Sequence, residues 1–248
     1  MARYQVILAY DGTGFSGSQR QANSRTVQGE LEKALRKLGW PDRTILMAGR
    51  TDTGVHATGQ VAAFDLDWKH SADKLLWALN KHLPSDLVVK NASLASADFH
   101  PRFDATSRAY RYRVFFEPIR DPLRSKFLWR TWPAVDEDAL KRNASTFIGK
   151  QDFAAIGSRT TPKGTTVRTL TKAEWKKMPD GEWQFEVRAD AFLYRMVRRL
   201  VFVQVAVAQG RSSIEKVRHA LIKHEELIAG LAPAHGLTLI EVTYGSRD

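Results

Sequence analysis

The sequence predicts a mixed α+β protein, and three observations support this prediction. Apolar and aromatic side chains recur at every second position over residues 3–10 and 107–116, which is typical of strands with one buried face. They recur at intervals of three and four over residues 27–38 and 72–83, which indicates amphipathic helices. In the first part of the chain these segments follow one another as strand, helix, strand, strand, helix and strand, which is an α+β order.

The first half, residues 1–98, is expected to form one α/β unit. Its first helix begins after Thr26, whose side chain can cap the helix N-terminus, and is ended by Gly39. Its second helix begins after Ser71 and stops at Pro84. Strands are expected at residues 3–10, 44–48, 61–64 and 86–94.

The second half, residues 99–248, is expected to repeat this mixture of strands and helices. Its first strand, over residues 107–116, places Arg108, Tyr110 and Tyr112 on one face. The polar, basic segment 158–168 is expected to become ordered only when an anion binds. Further elements are predicted as helices over 136–147 and 192–209, a hairpin around 179–181, a helix capped by Ser212 and Glu215, and a strand over 237–244.

The charge of the chain predicts a polyanionic partner. Lys and Arg number 38 against 27 Asp and Glu, which gives a formal net charge of +11. Arginines are interleaved with aromatic residues in the segments RAYRYRVFF and FLYRMVRRL, an arrangement that suits phosphate contact beside base stacking. A nucleic acid is therefore the expected partner, and an excess of charge that serves only solubility is the alternative.

Other features of the composition exclude whole classes of protein. The chain has no cysteine, so disulfides and Cys-ligated zinc are excluded, in agreement with a reducing cytoplasm. Its longest apolar run, around residues 200–208, is under half of the ~20 residues that a membrane span needs. We therefore expect a cytoplasmic protein with a buried apolar helix and no membrane segment.

The most distinctive stretch is MAGRTDTGVHATGQVAAF, from Met47 to Phe64. Apolar residues bracket it and glycines recur in it, so its polar centre is expected at the rim of a sheet. Asp52 in that centre is a candidate nucleophile, and a guanidinium beside it, from Arg50, would favour the ionised carboxylate that a nucleophile requires. The alternative is an ordinary Asp-Thr-Gly turn.

Arg198 is an anomaly in the predicted helix over residues 192–209. Its helical neighbours are aromatic or apolar, namely Tyr194, Phe202 and Val205. A guanidinium buried there without a partner would be strongly destabilising, so it needs a carboxylate, and Asp52 is the candidate. Pairing with Asp190 or Glu186, or extension into solvent, is the alternative.

The string GRTDTGVH at residues 49–56 resembles the signature of the tRNA pseudouridine synthase A family. Matches run from about residue 4 to residue 244, nearly the whole chain. They include YDG at 10–12, LN at 79–80, FH at 99–100, RAYRY at 108–112, DF at 152–153, AFL at 191–193, MVR at 196–198 and GLTL at 236–239. One departure is Ser18, which stands where the family usually has Trp.

This resemblance implies two similar α/β halves that share a continuous, mainly antiparallel sheet with a basic cleft between them. It implies a homodimeric isomerase that converts uridine to pseudouridine at positions 38–40 of the tRNA anticodon stem-loop, without a metal or another cofactor. Asp52 would attack the uracil ring or the ribose anomeric carbon, and Arg198 would pair with Asp52. Arg50 would hold the stem open or position the target, and Tyr110 would stack on the base.

Other polar residues are assigned by position or by the resemblance. Arg108 and Arg195 are candidates for contact with the RNA because they lie among aromatic residues. Arg20 lies in a predicted loop that could touch RNA or face solvent. His56 is expected to be a packed or hydrogen-bonded histidine.

Three other functions remain as alternatives. A noncatalytic tRNA-binding protein would keep the basic cleft alone. An aspartic-protease-like hydrolase would need two Asp-Thr-Gly triplets, but the sequence contains a single one, at residues 52–54, so a homodimer would have to supply the second. A metal nuclease would have to use Asp52, His56, Asp65 and Asp67, which do not form a recognisable ligand spacing.

Overall fold

The computed structural model describes residues 1–41, 44–159 and 164–245. Within the predicted anion-ordered segment, residues 160–163 lie outside the described residues. The chain folds into two compact units, the first formed by residues 1–106 with the C-terminal residues from 238 onwards, and the second by residues 107–237. The sequence prediction divided the chain after residue 98 and assigned the closing strand to the second half, whereas in the structure that strand belongs with the first unit.

The secondary structure follows the predicted order in the first half, whereas in the second half two short strands, over residues 129–131 and 149–152, were not predicted. The strands are β1 (Ala2–Tyr10), β2 (Leu46–Met47), β3 (His56–Leu66), β4 (Leu87–Leu94), β5 (Ala105–Phe116), β6 (Trp129–Thr131), β7 (Gly149–Asp152), β8 (Val167–Lys177), β9 (Trp183–Ala189) and β10 (Leu237–Tyr244). The helices are α1 (Val27–Arg36), α2 (Ala72–His82), α3 (Glu137–Ser145), α4 (Met196–Ala208) and α5 (Ile214–Lys223).

In the first unit, β1 lies between β3 and β4 and is antiparallel to both. The predicted alternation of β1 is confirmed, since Tyr4, Val6, Leu8 and Tyr10 are all buried. The closing strand β10 is parallel to β3, and the short β2 is antiparallel to β3. The predicted strand over residues 44–48 is therefore reduced to two residues of regular pairing.

The two helices of the first unit begin where the sequence predicts. The Thr26 hydroxyl accepts a hydrogen bond from the Gly29 amide, and the Ser71 hydroxyl accepts one from the Lys74 amide. The buried face of α1 includes Val27, Leu31 and Leu35, which confirms its apolar stripe. Both helices thus use a local capping side chain and one apolar face, two features that a sequence can show.

In the second unit, β5, β9, β8 and β7 pair antiparallel in that order, and β6 is parallel to β5. The predicted hairpin around residues 179–181 joins β8 to β9, and Gly181 adopts φ 79° in its turn. The mixed α+β class with a mainly antiparallel sheet is confirmed. Among the described residues, no helix is long and apolar enough to span a membrane.

Two helix boundaries in the second unit differ from the prediction. The helix predicted from residue 192 begins at Met196, because Arg195 adopts the left-handed conformation with φ 60° and Tyr194 forms a bridge with Ser158. The last helix is capped by Ser213, whose hydroxyl accepts from the Lys216 amide. The predicted capping box on Ser212 is wrong by one residue.

Gly59 allows β10 to approach β3. A Cβ at residue 59 would lie 2.2 Å from the carbonyl oxygen of Ile240. Gly59→Ala is therefore expected to lower the free energy of unfolding by about 3 kcal/mol, measured by urea denaturation. In the matched control Gly49→Ala, the new Cβ would meet no described heavy atom within 4 Å, and we expect a change within about 1 kcal/mol. Equal stabilities of the two variants would contradict this account of Gly59.

Candidate active-site loop

The loop that carries Asp52 joins β2 to β3 in the first unit. Arg50 and Thr53 are exposed, Thr51 is buried and Asp52 is half-buried. The Val55 amide donates to the Asp52 carbonyl at 3.1 Å and Gly54 adopts φ 78°, so the backbone forms a tight turn. The turn that was predicted as the alternative thus exists, and Asp52 is its first residue.

Thr51 is held by hydrogen bonds from two other segments. Its hydroxyl lies 2.9 Å from the Tyr10 hydroxyl at the end of β1. Its amide donates to the Ser18 hydroxyl at 2.8 Å, and its carbonyl accepts from the Ser18 amide at 3.1 Å. Every polar group of Thr51 therefore has a partner, and the peptide that leads into Asp52 is fixed.

The far side of the turn is anchored to the segment that follows β1. The Gly12 amide donates to Nδ1 of His56 at 2.9 Å, and a Cβ at residue 12 would lie 2.0 Å from the Val55 carbonyl oxygen. Nδ1 of His56 also lies 3.2 Å from the Asp11 carboxylate. His56 is 5% exposed, so the prediction of a packed, hydrogen-bonded histidine is confirmed.

Tyr10 is a buried phenol beneath the loop. Burial raises the pKa of Tyr10 to about 12, and hydrogen bonds with Thr51 and Gln60 oppose this rise in part. The hydroxyl therefore stays protonated near neutral pH. Gln60 also donates its side-chain amide to the Gly49 carbonyl at 2.9 Å, which ties the start of the loop to β3.

Arg20 has a structural partner in the first unit. Its guanidinium contacts the fully buried carboxylate of Glu32 at 2.9 Å and the Thr44 hydroxyl at 3.1 Å. The Gln28 side-chain amide donates to the other oxygen of Glu32 at 2.8 Å. Contact of Arg20 with RNA stays a prediction, and the structure adds the neutralisation of a buried acid.

The second unit holds four of the predicted site residues. The Tyr110 ring is 9% exposed and meets Phe192 edge-on at 5.1 Å between centroids. Arg108 donates to the Asp190 carbonyl at 2.9 Å. Arg195 is exposed at the left-handed position before α4, with its guanidinium 4.8 Å from the centre of the Tyr194 ring.

Arg198 lies half-buried in the first turn of α4. Its Nε donates to the Ala232 carbonyl at 2.8 Å, which restricts the orientation of the guanidinium. Glu186, one of the alternative partners, is paired with Arg111 at 2.6 Å and with Lys172 at 2.7 Å. The predicted pairing of Arg198 with Asp52 joins residues of different units and stays a prediction.

The sequence reasoning missed the role of Ser18. The only signal was its departure from the family's Trp, and nothing local connects it with Thr51, which lies 33 residues away.

In the described parts of the chain, no group of three or more His, Asp or Glu residues is placed to hold a metal ion.

Together these features define a class of protein. A basic α+β chain that presents a half-buried carboxylate on a firmly held turn is suited to nucleophilic or acid–base catalysis on a polyanionic substrate. Comparison with known proteins makes the class specific: a family model described as tRNA pseudouridine synthase matches residues 6–104 and 144–245. The chain therefore belongs to the tRNA pseudouridine synthase family.

Curated relatives support this membership over nearly the full length. A protein of Chloroflexus aurantiacus is 40% identical over 251 residues, covering 98% of this chain and 89% of its own. A protein of Limosilactobacillus fermentum is 38% identical, covering 99% and 97%, and one of Brevibacillus brevis is 38% identical, covering 98% and 100%. All three are named tRNA pseudouridine synthase A.

Arg20→Met should destabilise the first unit because it removes the nearer of two cations from the buried Glu32 carboxylate and leaves Arg36, which lies 4.0 Å from the same oxygen. We expect the free energy of unfolding to fall by about 2 kcal/mol, less than for a fully buried pair because Arg20 is half-exposed. Adding Glu32→Gln should recover part of this loss, so that a double-mutant cycle in urea gives a clear coupling energy. As a control, Lys33→Met removes a surface partner of Glu30 and should cost less than about 1 kcal/mol. Additive effects of the Arg20 and Glu32 substitutions would contradict the pairing.

Tyr10 should make stability fall in alkali. Its folded-state pKa of about 12 lies above its ordinary value of 10.0, so the unfolded chain loses the phenolic proton first. The stabilisation is complete below pH 10 and is lost as pH rises through about 12, and for a shift of two units it amounts to about 3 kcal/mol. The free-energy difference between the unaltered chain and Tyr10→Phe, measured in urea at several pH values, should shrink by that amount. A difference that is constant across this range would contradict the prediction.

Proposed function

We propose that the chain isomerises uridine to pseudouridine at positions 38–40 of the tRNA anticodon stem-loop, with Asp52 as the nucleophile. One observation carries this proposal: the half-buried Asp52 stands on a turn whose preceding residue is fixed through every polar group. The family membership of nearly the whole chain supplies the reaction and the tRNA substrate. The assignment of the nucleophile and of the positions within tRNA belongs to the proposal.

The reaction constrains what the protein must supply. The bond between uracil N1 and ribose C1′ breaks, the base rotates, and a new bond joins C5 to C1′. C5 then loses its proton to solvent and N1 gains one, so there is no net oxidation or reduction. The protein must hold a nucleophile, extrude the base from the stem and keep the detached base in place, and extrusion costs a few kcal/mol.

Asp52 can meet the first requirement. A carboxylate that adds to the uracil ring or to C1′ must be ionised and must meet the carbon within a narrow range of directions. The hydrogen bonds of Thr51 fix the backbone directly before Asp52, and the turn closed by Val55 fixes it directly after. Either route of attack would benefit from a carboxylate held in this way.

The arginines can meet the second requirement. Arg50 is exposed two residues before Asp52 and would position the target or hold the stem open. Arg20, Arg108 and Arg195 would contact phosphates, for which a net charge of +11 provides a general attraction. Tyr110 would stack on the extruded base and Arg198 would pair with Asp52. Assembly as a cytoplasmic homodimer completes the proposal.

Asp52→Asn separates catalysis from binding. With tRNA labelled with tritium at uridine C5, the unaltered chain should release label to water, and Asp52→Asn should slow this release on the order of 10³-fold or more. Its affinity for tRNA should stay within a few-fold, because the substitution leaves the basic surface intact. Asp67 is an exposed residue directly after β3, the strand that follows the Asp52 loop, and the control variant Asp67→Asn should retain full activity.

Several outcomes would overturn the proposal. Release at the normal rate by Asp52→Asn would remove the nucleophile. Binding of tRNA by the unaltered chain without release of label would favour a noncatalytic binding protein. RNA shortened in a manner that EDTA prevents would favour the nuclease, and cleavage of peptides that pepstatin inhibits would favour the hydrolase.

A further inference from the structure

We propose that Ser18 is a positioning residue for the isomerisation, acting through Thr51 on the direction of the Asp52 carboxylate. This inference rests on the function proposed above. It assigns to the side chain that replaces the family's Trp a task in the reaction, although that side chain does not reach the substrate.

Ser18 and Thr51 are joined by two hydrogen bonds, and Ser18 is the acceptor in one and the donor in the other. The Ser18 hydroxyl accepts from the Thr51 amide at 2.8 Å, and the Ser18 amide donates to the Thr51 carbonyl at 3.1 Å. Ser18 is 1% exposed and Thr51 is 7% exposed. Because water has little access to either residue, the Ser18 hydroxyl is the group that satisfies this buried amide.

Ser18 is itself held by the start of α1. Its carbonyl accepts from the Gln28 amide at 2.9 Å, and the preceding Gly17 carbonyl accepts from the Val27 amide at 3.4 Å. These amides belong to the first turn of the helix, where no carbonyl of the same helix can accept from them. The side-chain oxygen of Gln28 accepts from the Arg20 amide at 3.0 Å, which fixes the chain after Ser18.

Gly17 permits the close approach that this contact requires. It adopts φ 89°, and a Cβ there would lie 2.8 Å from the Thr51 carbonyl oxygen and 3.5 Å from the carbonyl carbon of Asp52. The two backbones therefore meet directly, without an intervening side chain. A rigid path leads from α1 through Ser18 to the peptide that joins Thr51 to Asp52.

Loss of the hydroxyl should affect the chemical step more than binding. Without its acceptor, the Thr51 amide can turn or recruit water, and the peptide that joins Arg50 to Thr51 gains freedom. The Thr51 carbonyl keeps its hydrogen bond from the Ser18 amide, so Thr51 is then held from one side only, and the direction of Asp52 is less restricted. A displacement of about 1 Å at a reacting group can slow a reaction about 100-fold. Since Ser18 is buried, the affinity for tRNA should be preserved.

Ser18→Ala provides the test, with Ser71→Ala as the matched control. Ser71 also accepts one backbone amide through its hydroxyl, at the N-terminus of α2, and does not belong to the loop. We expect Ser18→Ala to lower kcat for tritium release 10- to 100-fold with KM for tRNA within about threefold. We also expect hydrogen exchange at the Thr51 amide, followed by NMR, to accelerate at least about tenfold. Ser71→Ala should leave all three quantities unchanged.

A second variant keeps the test decisive if Ser18→Ala does not fold. Ser18→Cys preserves the shape of the side chain and weakens its acceptor, so kcat should fall between the values for serine and alanine. If a folded Ser18→Ala or Ser18→Cys protein keeps normal kcat and normal exchange at Thr51, the inference is overturned. A loss of activity that follows only the folded fraction, with normal exchange at Thr51, would also overturn it.

The outcome can be separated from that of the proposed function. If the unaltered chain releases no label, the proposed function fails, whatever the Ser18 variants show. If the unaltered chain is active and Asp52→Asn is inactive, the proposed function stands, and Ser18→Ala then decides this inference alone.

Discussion

The arrangement of the candidate site depends on the hydrogen bonding of one buried residue, Thr51. A buried backbone must have its polar groups satisfied, and here the partners come from the end of β1 and from the loop before α1. Because Thr51 is fixed from two directions, Asp52 has little backbone freedom. The half-buried carboxylate thus stands on a support that belongs to the fold of the first unit.

The register of the first sheet brings these partners together. Tyr10, the last residue of β1, pairs with Ala57 near the start of β3, so the segments that leave these strands run side by side. Gly12 and Gly17 then allow the following loop to approach the Asp52 turn at two points. A shift of β1 against β3 would move Tyr10, His56 and Thr51 apart, so the geometry of the site depends on the register of these two strands.

The positive charge of the chain serves structure as well as partners. Arg20 neutralises the buried Glu32, Arg113 pairs with the buried Glu182 at 2.6 Å, and Arg3 pairs with Asp65 at 2.8 Å. Arg199 donates to the carbonyls of Leu227 and Gly230 in the segment after α5. The net charge of +11 agrees with a polyanionic partner, but a count of arginines does not show which of them would contact it.

The sequence by itself determined the α+β class, the caps at Thr26 and Ser71 and the distinctive turn around Asp52, because period, capping and turn chemistry are local. It failed where several local patterns compete, as with the cap that falls on Ser213 rather than Ser212. Only the tertiary structure decided that β10 joins the first unit, that Arg20 holds Glu32 and that Ser18 supports Thr51. Arg20 and Glu32 are 12 positions apart in the sequence, and Ser18 and Thr51 are 33 positions apart. The geometry of these contacts is set by how strands and loops pack, and not by neighbours in the chain.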